Sequence, residues 1–182
     1  QNNNINTSKE GTNKIRHEDD GPAFYSQERI GKNEKPFKMW KFRSMVVNAD
    51  QMIDQLEDQN EIEGAMFKIK DDPRITKIGH TIRKYSLDEL PQLWNVLIGD
   101  MSLVGPRPPL PSEVEEYTDY DKQRLLVMPG CTGLWQVTKR NEADFDEMVW
   151  LDIVYINHSG ILEDLKLIIK TIGVVIHPNG AY

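Results

Sequence analysis

The sequence predicts an α+β fold: one helix-rich domain with a small antiparallel β-hairpin and an amphipathic helix suited to a membrane interface. Three observations carry this. Phe24–Ile30 and 37–42 read as short strands, and the turn-rich joint Gly31-Lys32-Asn33-Glu34-Lys35-Pro36 lies between them. Apolar residues then recur at helical spacing in several later segments. Finally, 182 residues with 38% apolar and 28% charged content suit a single globular domain with a real core.

Residues 1–20 are almost devoid of apolar side chains and read as a polar linker or disordered tail, so the domain is placed at 21–182. A helix is expected over 46–58, with Val46, Ala49, Met52, Ile53 and Leu56 on one face. Another spans 86–98, where Leu87, Leu90, Leu93, Trp94, Leu97 and Ile98 recur and Gly99 marks the stop. The proline-rich stretch 105–111 is stiff and extended. Ser112 and Glu115 have capping-box spacing and open a helix to about Met128, ended by Pro129-Gly130. A short strand is expected over 133–138, then helices at 142–157 and 161–176, split by Ser159-Gly160. The last helix carries Lys166 and Lys170 opposite a broad apolar face. It suits a membrane interface or ordinary core packing equally well.

Composition removes several classes. No apolar run approaches the ~20 residues of a spanning helix. One cysteine, Cys131, permits no internal disulfide, and four scattered histidines make no zinc spacing. The net charge of −7 argues against general nucleic-acid binding. Yet Arg29, Lys32, Lys35, Lys38, Lys41 and Arg43 crowd one segment, and Lys68, Lys70, Arg74, Lys77, Arg83 and Lys84 another. Such patches suit phosphate-rich ligands or an anionic membrane surface, although charge runs are often merely solvated faces.

The most informative stretch is Arg83-Lys84-Tyr85-Ser86-Leu87-Asp88-Glu89-Leu90-Pro91. Two adjacent carboxylates stand at a helix start behind two cations. Either Ser86 or Asp88 can be the cap, and both registers put Asp88 and Glu89 in the first turn, where the helix dipole favours ionised acids. Such a carboxylate is a poor general acid but a fit nucleophile or Mg²⁺ ligand. Neighbours on a helix point ~100° apart, so the pair cannot flank a glycosidic bond. Taken alone, an Asp-Glu at a helix start is most often a cap and dipole partner. Arg107 between Pro106 and Pro108 is a pre-organised guanidinium suited to phosphate, or a stiff surface loop.

Together five ordered blocks resemble the bacterial sugar transferase family, the monotopic phosphoglycosyl transferases. They are Gly21-Pro22-Ala23-Phe24-Tyr25 with Gln27-Glu28-Arg29-Ile30-Gly31; Trp40-Lys41-Phe42-Arg43-Ser44-Met45; Ser86-Leu87-Asp88-Glu89-Leu90-Pro91-Gln92-Leu93; Gly99 to Pro108; and Pro129-Gly130-Cys131-Thr132-Gly133-Leu134-Trp135-Gln136-Val137. The resemblance implies Mg²⁺, a UDP-sugar donor, a polyprenyl phosphate acceptor such as undecaprenyl phosphate, and work at the cytoplasmic face of a bacterial plasma membrane. It implies that Asp88 attacks the β-phosphate, forming a phosphosugar–enzyme intermediate and releasing UMP. Glu89 would be the Mg²⁺ ligand, with Asp88, or the acid/base partner. Lys41, Arg83 and Arg107 match phosphate-holding positions, as does Arg140 in Thr138-Lys139-Arg140-Asn141. The product would begin a capsule or exopolysaccharide. Family members carry an apolar membrane segment ahead of the first block, where this sequence has its polar stretch. A catalytic domain without that segment, or with it further upstream, is therefore expected. The competing reading is a catalytically silent module that binds anionic lipid or nucleotide.

Overall fold

The computed structural model describes residues 14–16, 18, 20–56, 58, 69, 71–139 and 143–176. Most of the predicted 1–20 tail lies outside them. The described part of it touches the domain: Ile15 is buried with Ala23 and Ile82, and the Glu18 carboxylate accepts from the Lys77 and Ile78 amides.

The α+β expectation is borne out. Strands β1 (Phe24–Ile30) and β2 (Pro36–Phe42) pair antiparallel, from Phe24 opposite Phe42 to Ile30 opposite Pro36. The Phe24 and Phe42 rings stack at 5.1 Å. After β2 the helix expected over 46–58 is reduced to a 3₁₀ turn, Ala49–Met52, and one helical turn, α1 (Ile53–Leu56). Among its named apolar residues only Ala49 and Leu56 are buried, and so short a helix is marginal without a packed face.

Helix α2 (Lys77–Lys84) carries few apolar residues and was not read from the sequence. Thr76 caps it by accepting from the Gly79 amide at 3.0 Å. A side chain at Gly79 would stand 2.0 Å from the Ser44 carbonyl, so this close seat on the segment after β2 requires glycine. The fork from Arg74 to Asp72 fixes the approach.

Helix α3 (Gln92–Ile98) ends at Gly99 in the left-handed region, as the sequence suggested. β3 (Ser102–Val104) leads into the proline arch. α4 (Pro111–Glu115) is one short turn. The expected capping box is displaced: Glu113, not Glu115, accepts from the backbone, at the Leu110 amide. The long helix to Met128 is broken because Thr118 and Asp121 satisfy each other locally and open a separate 3₁₀ turn, Asp121–Leu126.

The strand expected at 133–138 is instead helix α5 (Leu134–Thr138), which buries Trp135 against Met148 and Leu151. The strand lies just before it: β4 (Gly130–Thr132) runs parallel to β3, adding a second two-stranded sheet. α6 (Phe145–His158) begins at the Asp144 cap, and α7 (Ile161–Ile176) matches its expected bounds. Val104, Tyr155 and Leu167 form the core where β3, α6 and α7 meet.

Candidate active site

Asp88 and Glu89 stand in the first turn after a Ser86 cap, as one of the two expected registers has it, but that turn is 3₁₀ and not α. It spans Leu87–Glu89 and is entered through Ser86 in the left-handed region (φ 52°, ψ 25°). Pro91 caps α3, a position where its missing N–H is not needed. The turn lies against both β2 and α2. β2 delivers Lys41, whose Nζ meets Glu89 Oε1 at 2.9 Å. The last turn of α2 delivers Arg83, whose charge is felt at Asp88. Arg107, from the arch after β3, is felt at Glu89. The structure therefore brings together Asp88, Glu89, Lys41, Arg83 and Arg107, while Arg140 lies outside the described residues.

The electrostatics correct one expectation. Dipole and cations were to keep Asp88 readily ionised. Burial instead pushes it up to about 6, with help from the Glu89 charge, against Lys41 and Arg83. Asp88 is 7% exposed, and desolvation outweighs the dipole. Glu89 moves the other way. Burial alone would raise it, but Lys41, Arg107 and a hydrogen bond from Gln92 hold it below its ordinary range. Adjacent carboxylates with opposite shifts are fit for different roles. Any step that needs ionised Asp88 is expected to quicken about tenfold per pH unit up to about 6 and to level off above 7. Turnover measured from pH 5 to 8 checks this, and a flat profile overturns it.

Reading the sequence missed the site's supports. Asn95 is fully buried: its Oδ1 accepts from the Trp40 amide at 3.0 Å, and its Nδ2 donates to the Lys38 carbonyl and to Asp100. Gln92, one turn earlier, is buried beside Glu89. Two carboxamides at i and i+3 within a leucine-rich helix were the available signal. Asn95 locks α3 to the strand that carries Lys41. Consequently α3 is inverted: its polar face looks inward, while Leu90, Leu93, Trp94, Leu97 and Ile98 face outward, Leu97 at 76% exposure. Cys131 on β4 stands near enough to feel Glu89, and burial first, then that charge, pushes its thiol up to about 11, so it is no nucleophile near neutral pH.

Three further acids, each a conceivable metal ligand by type, are engaged elsewhere. Asp144 caps α6, Asp100 accepts from Asn95, and Asp152 is paired with Arg124 in the core. Among the described residues no cluster of three or more His, Cys, Asp or Glu side chains forms. A cavity of about 270 Å³ between the hairpin turn and 121–126 shares no residue with the carboxylate pair.

The profile of the bacterial sugar transferase family matches residues 12–178. The chain is 54% identical over 164 residues to a galactosyl transferase, CpsE, of Streptococcus agalactiae, covering 90% of this chain and 36% of the relative. It is 48% identical over 168 residues to an undecaprenyl-phosphate galactose phosphotransferase of Salmonella typhimurium, covering 90% and 35%. To the exopolysaccharide production protein ExoY of Sinorhizobium fredii it is 40% identical over 172 residues, covering 92% and 76%. The chain thus spans about a third of the length of the first two relatives.

Proposed function

The chain belongs to the bacterial sugar transferase family, and on that premise we propose that it moves a sugar-1-phosphate from a UDP-sugar to undecaprenyl phosphate. The observation that carries this is the buried, ionisable Asp88 beside a Glu89 neutralised by Lys41, with Arg83 and Arg107 supplying further positive charge. In the first step an Asp88 carboxylate oxygen bonds to the β-phosphorus. The bond from that phosphorus to the bridging oxygen breaks, and UMP leaves with the oxygen and the electron pair. In the second step an oxygen of undecaprenyl phosphate attacks the same phosphorus, and Asp88 departs as carboxylate. Such transfers depend on positioning and charge neutralisation, which Lys41, Arg83 and Arg107 would supply. A covalent intermediate divides one hard displacement into two.

Mg²⁺ fits this site. Asp88 and Glu89 are adjacent carboxylates, Lys41 pairs with Glu89, and at Asp88 burial still outweighs the Lys41 and Arg83 charges. Asp88 and Glu89 would hold the ion with donor phosphates as further ligands. When bound, the ion would neutralise developing charge on the phosphate oxygens.

Membrane contact belongs to the same reading. No described helix is long and apolar enough to cross a bilayer. However, α7 exposes Ile161, Leu165, Ile169, Ile172 and Ile176 along one face, and α3 exposes its own leucine face. β3 touches both helices and carries the exposed Leu103. Exposed apolar helix faces of this kind suit an acyl interface. The protein would then work at the cytoplasmic face of the plasma membrane, where nucleotide sugars are available, at the start of surface polysaccharide assembly.

Intact-protein mass after mixing with Mg²⁺ and a panel of UDP-sugars tests this. The expected result is a gain of one phosphosugar, chased off by undecaprenyl phosphate. Release of free sugar, or salt-sensitive vesicle binding with no adduct for any donor, would instead favour a hydrolase or a silent lipid-binding module. A second expectation is that Leu93→Glu with Leu97→Glu weakens vesicle binding at least about tenfold, read by co-sedimentation.

A further inference from the structure

The arch at 106–109 is held almost wholly through its carbonyls. Three of its four residues, Pro106, Pro108 and Pro109, have no N–H to offer. All four carbonyls accept hydrogen bonds. The Gly130 amide donates to Pro106 O at 2.9 Å, Arg124 Nη2 to Arg107 O at 3.4 Å, Arg29 Nη1 to Pro108 O at 3.1 Å, and the Ile30 amide to Pro109 O at 2.9 Å.

Arg29 is the unusual member. It is 5% exposed, and its other arm donates to Gln27 Oε1 at 2.7 Å, so both of its hydrogen bonds go to neutral acceptors. Its Nε is buried without an acceptor. Burying a guanidinium on such terms costs stability. Burial first, then the Arg107 charge, lower Arg29 to about 10, against partial support from the Glu113 and Glu89 carboxylates. A residue so costly to keep, gripping the backbone beside Arg107, is poorly explained as a stabilising contact.

We propose that Arg29 is a positioning residue for Arg107: by holding the Pro108 carbonyl it fixes the arch, and so directs the Arg107 guanidinium at the donor phosphates. The proposal rests on the phosphosugar-transfer reading for its substrate, and on the arch geometry for its mechanism.

The test is a double-mutant cycle on Arg29→Lys and Arg107→Gln, reading adduct formation against UDP-sugar concentration, with Tm measured alongside. Lys keeps the charge but cannot hold Pro108 O and Gln27 together. The expected result is a ten- to hundredfold loss in kcat/KM for Arg29→Lys, shrinking to less than about twofold when Arg107 is already Gln. Losses that multiply in the double variant, or an unchanged kcat/KM, overturn the proposal. Should Arg29→Lys fail to fold, Gln27→Met releases only one arm of Arg29 and must show the same non-additivity at smaller size; additivity there overturns the proposal. If the wild type forms no adduct with any donor, the transfer reading falls. ¹⁵N relaxation at Arg107 Nε then decides the arch separately. Loosening in Arg29→Lys supports positioning, and unchanged order overturns it.

Discussion

On the proposed mechanism, Asp88→Asn is expected to lower phosphosugar transfer by at least about three orders of magnitude, the scale on which an enzyme feels the loss of a nucleophile. Asn preserves shape and burial but cannot form the acyl phosphate, so the mass adduct should vanish while the fold persists. The same substitution carries an opposite effect on stability. Asp88's folded value, about 6, lies above the ordinary carboxylate range. Its contribution to stability is therefore fully present below about pH 4 and is lost as pH rises through 6. A shift of that size corresponds to at most about 3 kcal/mol, the cost of keeping the charge buried above pH 7. The inactive variant should consequently unfold at higher denaturant than the wild type at pH 8, and at the same concentration at pH 4. Wild-type activity in Asp88→Asn would remove Asp88 from the mechanism. Equal stability at pH 8 would remove the argument from burial.

Asp152→Ala should cost about 3–5 kcal/mol, the scale of breaking a buried ion pair. Asp152 is fully buried and Arg124 nearly so, and Arg124 also donates to the Tyr117 hydroxyl at 2.9 Å. Burial pushes Asp152 up to about 6 even beside its partner. Removing it leaves a core guanidinium with only the Tyr117 hydroxyl, the Arg107 carbonyl and the Glu113 charge to offset its desolvation. Asp152→Asn, which keeps an acceptor for Arg124, should lose less. Urea unfolding at pH 7 compares the two, and a difference from wild type below 1 kcal/mol for the alanine variant would show that the pair is not what holds this region.

The hairpin, α7 and the identity of the paired carboxylates were legible because each is written locally, as a turn between β-favouring runs, a sustained apolar stripe, or a motif. What escaped depends on distant partners. α2 is polar and short, and it exists because Thr76 caps it and Gly79 fits under Ser44 O. Residues 133–138 carry a short apolar run, which periodicity cannot assign, and the chain resolves it by burying Trp135 under α6. The direction of Asp88's shift was misjudged because the dipole is visible in sequence and burial is not. Arg29 reads in the sequence only as part of a basic segment and a motif, and Arg124 not at all, for a related reason: they act on main-chain carbonyls some 80 and 17 residues away, and backbone acceptors leave no trace in side-chain motifs.

On the proposed function, the inversion of α3 would set the dimensionality of the chemistry. A seven-residue helix is only about 10 Å long, and Asp88 stands two residues before the first member of the face formed by Leu90, Leu93, Trp94, Leu97 and Ile98. With that face seated in lipid, the acceptor arrives by lateral diffusion in a leaflet while the nucleotide donor arrives from bulk water. Saturation by the acceptor then follows its mole fraction among the lipids, not its molarity. Diluting the vesicles with inert lipid at constant total acceptor should slow the second step and leave the first untouched.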